Sequence, residues 1–88
     1  MMKIKDNFML REVAGSYAVV PVGDASVKFK GVISLNETGA FLWRHLEKGI
    51  EKEELLKKML EEYDVKEEVA SEHIDLFVKK LKESGILE

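Results

Sequence analysis

The chain has 88 residues, 45% of them apolar and 35% charged, a globular balance with room for one small core. Cysteine is absent, which excludes disulfide scaffolds, thiolate metal sites, Fe–S clusters and cysteine nucleophiles, and suits a reducing compartment. The net charge of −3 is unevenly spread: Lys3, Lys5, Arg11, Lys28 and Lys30 outnumber Asp6, Glu12 and Asp24 in residues 1–35, while the acidic excess lies in residues 36–88. That balance disfavours a nucleic-acid partner, whose affinity rests on Lys and Arg. No apolar run approaches the roughly 20 residues that span a bilayer, and the N-terminus lacks an apolar signal segment. The expectation is a single cytoplasmic domain over residues 1–88, with no membrane contact.

The first third reads as β. Residues 8–13 alternate loosely, with Phe8 and Leu10 opposed to Met9, Arg11 and Val13. Ala14-Gly15-Ser16 supplies a turn, and residues 17–22, rich in β-branched and aromatic side chains, form the second arm of a hairpin. Pro21 lacks a donor, so it belongs near a strand end or on an edge. From Val27 to Leu35 the alternation is strict, which predicts a third strand or two short ones bent at Gly31.

At Asn36 the period changes to that of a helix. Asn36 is the expected N-cap, Glu37 suits the first turn, and Lys48-Gly49 ends the element. Gly39 falls on the apolar arc of this helix, where a small residue would let another backbone come close. Trp43, Phe41 and Leu46 are expected in the core. A second helix over residues 52–63 carries Leu55, Leu56, Met59, Leu60 and Tyr63 on one packing face. A third, over residues 66–84, is apolar across about 200°, well beyond what one packing contact needs. Either it is packed on two sides or part of its surface awaits a partner. Gly85 stands where a C-terminal cap belongs, with Ile86 and Leu87 positioned to fold back onto the last turn.

Chemistry-bearing constellations are scarce. His45 and His73 fall on different helices without a partner at metal-ligand spacing, and each reads as a packing or capping residue. No glycine-rich phosphate loop occurs. The many glutamates interleave with lysines in the manner of solvated helix faces. No serine lies in a nucleophile-elbow context. The expectation is a non-catalytic protein with no cofactor and no metal.

Three strands followed by three helices give an α+β, winged-helix-like outline: a three-stranded antiparallel N-terminal sheet and a three-helix bundle. As a DNA reader it is poorly charged, because Glu51, Glu53 and Glu54 or Glu67, Glu68 and Glu72 would face the phosphates. A structural homodimer is the other alternative to ligand capture.

The run Leu35-Asn36-Glu37-Thr38-Gly39-Ala40-Phe41-Leu42-Trp43 resembles the PqqD family, proteins of coenzyme PQQ synthesis and of other peptide-maturation pathways. The resemblance extends to Leu10-Arg11-Glu12-Val13-Ala14-Gly15 with Tyr17-Ala18-Val19-Val20-Pro21, to Gly31-Val32-Ile33-Ser34, to Glu61-Glu62-Tyr63-Asp64-Val65, and to the ending Leu81-Lys82-Glu83-Ser84-Gly85-Ile86-Leu87. It implies a RiPP recognition element that binds the leader of a ribosomally made precursor peptide. Such a domain presents the leader to a modifying enzyme, often a radical SAM protein. It further implies that the leader adds as a strand at Val32, Ile33, Ser34 and Leu35 and lies against the third helix. The helical wheel nominates the flank bearing His73, Leu76, Phe77 and Lys80. The identity of the precursor, PQQ-related or not, stays open.

Overall fold

The computed structural model describes residues 1–24, 26 and 31–88. Three strands, β1 (Phe8–Val13), β2 (Ser16–Pro21) and β3 (Ile33–Leu35), form an antiparallel sheet in the order β1-β2-β3. Three helices follow: α1 (Glu37–Lys48), α2 (Lys52–Glu62) and α3 (Glu67–Glu83). The α+β outline expected from the sequence is therefore present.

The β1–β2 connection has only two residues, Ala14 and Gly15, with φ of 52° and 80°. Two successive positive φ values make the turn whose twist matches that of the flanking strands, and glycine adopts its half without strain. Ser16, expected in the turn, instead pairs with Val13 as the first residue of β2. Of the alternating run that predicts a third strand, residues 27–30 lie outside the described residues, and Gly31 and Val32 stand outside β3. Pro21 supplies a reason: continuing the β2–β3 register would place it opposite Gly31, where it has no N–H to give.

One face of the sheet carries Leu10, Val19, Ile33 and Leu35 and packs on the helices, chiefly through α1. Trp43, Leu46, Leu55, Ile74 and Leu81 are fully buried at the centre. The second helix follows its pattern except at one residue: Leu55 and Met59 are buried and Leu56 and Tyr63 half-buried, but Leu60, expected on the packing face, is exposed at the margin of that arc. His45 is a packing residue, its ring edge-on to Phe41 at 4.8 Å, while Phe41 also meets Tyr63 at 5.4 Å. The chain end folds back as expected, with Ile86 N–H donating to the Leu81 carbonyl and Gly85 N–H to that of Lys82. This double bond satisfies carbonyls the helix would leave orphaned and buries Ile86 beside Leu81.

The N-terminal residues form a seam that the sequence pattern does not announce. Met2 pairs with Ile50 and Ile4 with Leu87, so the first residues run between the α1–α2 junction and the C-terminus. The N-terminal amine meets Glu51 at 3.0 Å.

Trp43 is wholly buried and its Nε1 finds no acceptor. Its contribution is therefore volume and apolar contact, with an unpaired donor as a partial offset. Trp43→Ala should cost about 3–5 kcal/mol in urea denaturation. Trp43→Phe, which keeps most of the ring and removes the unpaired N–H, should cost much less.

Candidate functional site

The register of the sheet decides which backbone groups of β3 are free. Val22 N–H donates to the Asn7 carbonyl at 2.8 Å, one step beyond the Phe8–Pro21 pair. In an antiparallel ladder hydrogen-bonded and non-bonded pairs alternate, so Val20, Ala18 and Ser16 direct their backbone groups to β1. The same count ends on the bonded pair Val13–Ser16 that a two-residue turn closes. Tyr17 and Val19 are left to bond with Leu35 and Ile33, their partners in β3. Ser34, opposite Ala18 in a non-bonded pair, therefore points its N–H and C=O away from the sheet. Val32 has the same parity but precedes the strand.

Side chains sort by the complementary rule. Ile33 and Leu35 are half-buried against the core, whereas Ser34 is exposed and Val32 is 59% exposed. The four sequence-nominated strand residues thus divide into two that hold the sheet together and two that face solvent. No described residue pairs with the outer edge of β3.

A groove of about 290 Å³ lies beside this edge, lined by Asn36, Thr38, Gly39, Leu42, His73, Leu76, Phe77 and Lys80. All four residues nominated on the third helix line it together. Its other wall, the opening turn of α1, is not among the sequence-nominated site residues. Asn36, two residues past Ser34, caps α1 by accepting a 2.7 Å hydrogen bond from Gly39 N–H. A Cβ placed on Gly39 would lie 3.4 Å from both Leu35 Cβ and Phe77 Cε1, and 3.2 Å from Asn36 Oδ1. Glycine thus eases a close approach that is tightest at Asn36 Oδ1, and the neighbours are side chains and not the backbone that the sequence suggests. Leu35 and Phe77 converge there, which joins the end of β3 to the groove.

The broad apolar arc of α3 has two fates. Ala70, Ile74 and Leu81 are buried, and Phe77 and Val78 are half-buried. Val69 and Leu76 remain 41% and 60% exposed. The helix is not packed on both sides: its Leu76 flank faces the groove. A larger groove of about 400 Å³ runs along the Val78 flank, lined by Met2, Lys52, Ile74, Asp75, Lys79, Lys82 and Glu83. It is crossed by a 2.7 Å Lys52–Asp75 ion pair and has no residue of α1 or of its Asn36 cap in its lining. Proximity to the open edge, not volume, favours the smaller groove.

Among the described residues no cluster of three His, Asp or Glu side chains could hold a metal ion, and no helix is long and apolar enough to cross a membrane.

The sequence matches the family of coenzyme PQQ synthesis protein D (PqqD) over residues 9–87. The chain belongs to the PqqD family. Two solved structures share its fold. TbiB1, in complex with the TbiA(beta) leader peptide, superimposes with a TM-score of 0.77 at 21% identity, covering 98% of this chain and 94% of that one. A lasso peptide synthetase B1, complexed with the leader peptide, gives 0.76 at 18%, covering 99% and 96%. No curated protein matches the chain. The family match begins at Met9, so the N-terminal seam lies outside it, while β2, β3 and all three helices lie within it.

The groove of this PqqD-family protein depends on a cap at its mouth. Asn36→Ala removes the acceptor for Gly39 N–H and should cost about 1 kcal/mol in chemical denaturation. Asn36→Asp or Asn36→Ser, which keep an acceptor, should retain most of that stability.

Proposed function

We propose that this protein is a RiPP recognition element: it captures the leader of a ribosomally made precursor peptide by strand addition at β3. The observation that carries the reading is the outer edge of β3, where Ser34 presents an N–H and a C=O with no partner strand among the described residues, beside an apolar groove. Strand addition takes affinity from such backbone groups and specificity from pockets for alternate side chains. Membership of the PqqD family and the leader-bound state of both structural relatives support it. The outward backbone groups of Val32 and Ser34 receive the peptide, Ile33 and Leu35 hold the receiving strand, and His73, Leu76, Phe77 and Lys80 line its groove. The protein itself is non-catalytic. It acts in the cytoplasm by presenting the leader to a modifying enzyme, a radical SAM protein or another.

Proline separates the two sets of backbone groups. Ile33→Pro deletes a donor directed to β2 and should unfold the sheet, as circular dichroism would report. Ser34→Pro deletes an outward donor and should leave the protein folded while weakening leader binding about tenfold, with Val32→Pro the milder variant. Binding by Ser34→Pro as tight as wild type would rule out strand addition here.

The two flanks of α3 separate equally well. Leu76→Asp, at an exposed position, should leave melting nearly unchanged and weaken leader binding. Val78→Asp, half-buried against the core, should lower stability first and affect binding less. The reverse order in a titration of both variants would move the peptide to the Val78 side.

A further inference from the structure

The groove beside β3 differs from three other grooves of the described surface in having no carboxylate in its lining. The one along the Val78 flank mixes Asp75 and Glu83 with Lys52, Lys79 and Lys82; that between β1 and α1 mixes Glu12 and Glu47 with Arg44; that on α2 mixes Glu53, Glu61 and Glu67 with Lys57. In a chain of net charge −3, the groove beside β3 is lined by no carboxylate at all. It holds Lys80 and His73 instead, seven residues apart on one face of α3, with Leu76 and Phe77 between them. Lys80, like every described lysine but Lys52, forms no ion pair among the described residues, so its ammonium is available to a ligand. Glu83, one turn further along α3, lines the opposite groove.

We infer that the captured segment carries an Asp or Glu side chain close to an apolar one, the carboxylate bound by Lys80 and the apolar group seated on Leu42, Leu76 and Phe77. The inference rests on the peptide-capture reading above and specifies its ligand. Lys80 can lay its methylene stem along the apolar wall with the ammonium at the rim. A carboxylate meeting it beside partly desolvated apolar surface gains a charge-assisted hydrogen bond, whereas Lys or Arg at that place meets like charge. Alternate residues of an added strand face the same side, so the acidic and apolar residues stand at i and i+2 of the bound segment.

Lys80 also lies in the last turn of α3, where any cation favours the helix. That structural role is independent of what a peptide carries, so peptide charge preference is the discriminating readout. A displayed library of random linear peptides is selected against wild type, Lys80→Gln and Lys80→Glu, with melting confirming that each variant is folded. Wild-type selectants should be enriched for Asp or Glu two positions from an apolar residue. The enrichment should vanish with Lys80→Gln and turn to Lys or Arg with Lys80→Glu. Individual wild-type selectants should bind Lys80→Glu about tenfold more weakly. Converting their acidic residue to its amide should weaken binding to wild type by several-fold and leave binding to Lys80→Gln unchanged. Peptides that need the β3 edge, as shown by loss with Ser34→Pro, yet show no acidic preference or the same preference in all three proteins, overturn this inference alone. Binding that survives Ser34→Pro, or a library that yields no binder, overturns the capture reading and this inference with it.

Discussion

A two-residue turn decides which backbone groups this protein leaves unpaired. With Ala14 and Gly15 both at positive φ, Val13 and Ser16 close the hairpin as a bonded pair, and every later pair in the ladder follows by alternation. That count reaches β3 through β2 and fixes Ile33 and Leu35 inward and Ser34 outward. A slip of one residue would exchange them, and with them the side chains, bringing Ser34 against the core and Ile33 into water. The buried Val19, at the centre of β2, resists such a slip because its apolar side chain would leave the core with the rest. The open edge therefore rests on both a turn geometry and a hydrophobic pattern, each enforcing the same register.

Much of this was legible in the sequence where a local rule carried the information. The hairpin, the Asn36 cap, the C-terminal fold-back and the surplus apolar arc of α3 each depend on residues within a few positions of one another. The PqqD resemblance added the nomination of β3, which alternation alone could not distinguish from any other strand. Four things were not legible. The N-terminal seam uses single bridges at Met2 and Ile4, too few residues to show a period. The start of β3 is explained by Pro21, which a continued register would set opposite Gly31, a relation fixed by register and not by neighbours in sequence. The contribution of α1 to the groove arises where Gly39 approaches Phe77, a contact between residues far apart in the chain. Finally, the helical wheel of α3 nominated the Leu76 flank but left open whether the wide apolar arc was packed on both sides, which depends on where α2 packs.

The sheet has two outer edges, and they are not equivalent. The outer edge of β1 is longer, yet it carries the adjacent charges Arg11 and Glu12, both exposed, which discourage another strand from pairing. The described part of β3 has no charge and no proline. It is short, and a short edge is itself a guard against indiscriminate pairing. An edge that is at once uncharged and brief favours a ligand able to add something beyond backbone bonds.

The energetics make that requirement quantitative. In the proposed complex Ser34 offers one donor and one acceptor, and Val32 adds as many if the peptide extends its strand. At roughly 0.5–1.5 kcal/mol net per bond, two to four bonds yield about 1–6 kcal/mol. Ordering a disordered segment costs about 2–5 kcal/mol or more, so at the middle of both ranges the edge bonds and the ordering cost nearly cancel. Seating one large apolar side chain on Leu42, Leu76 and Phe77 contributes about 1.5–3 kcal/mol more. In the proposed complex capture thus needs edge and groove together, and neither would suffice for an arbitrary strand or an arbitrary apolar surface. The Leu76 flank, which costs the free protein an exposed leucine, would then be what lets so short a strand discriminate among peptides.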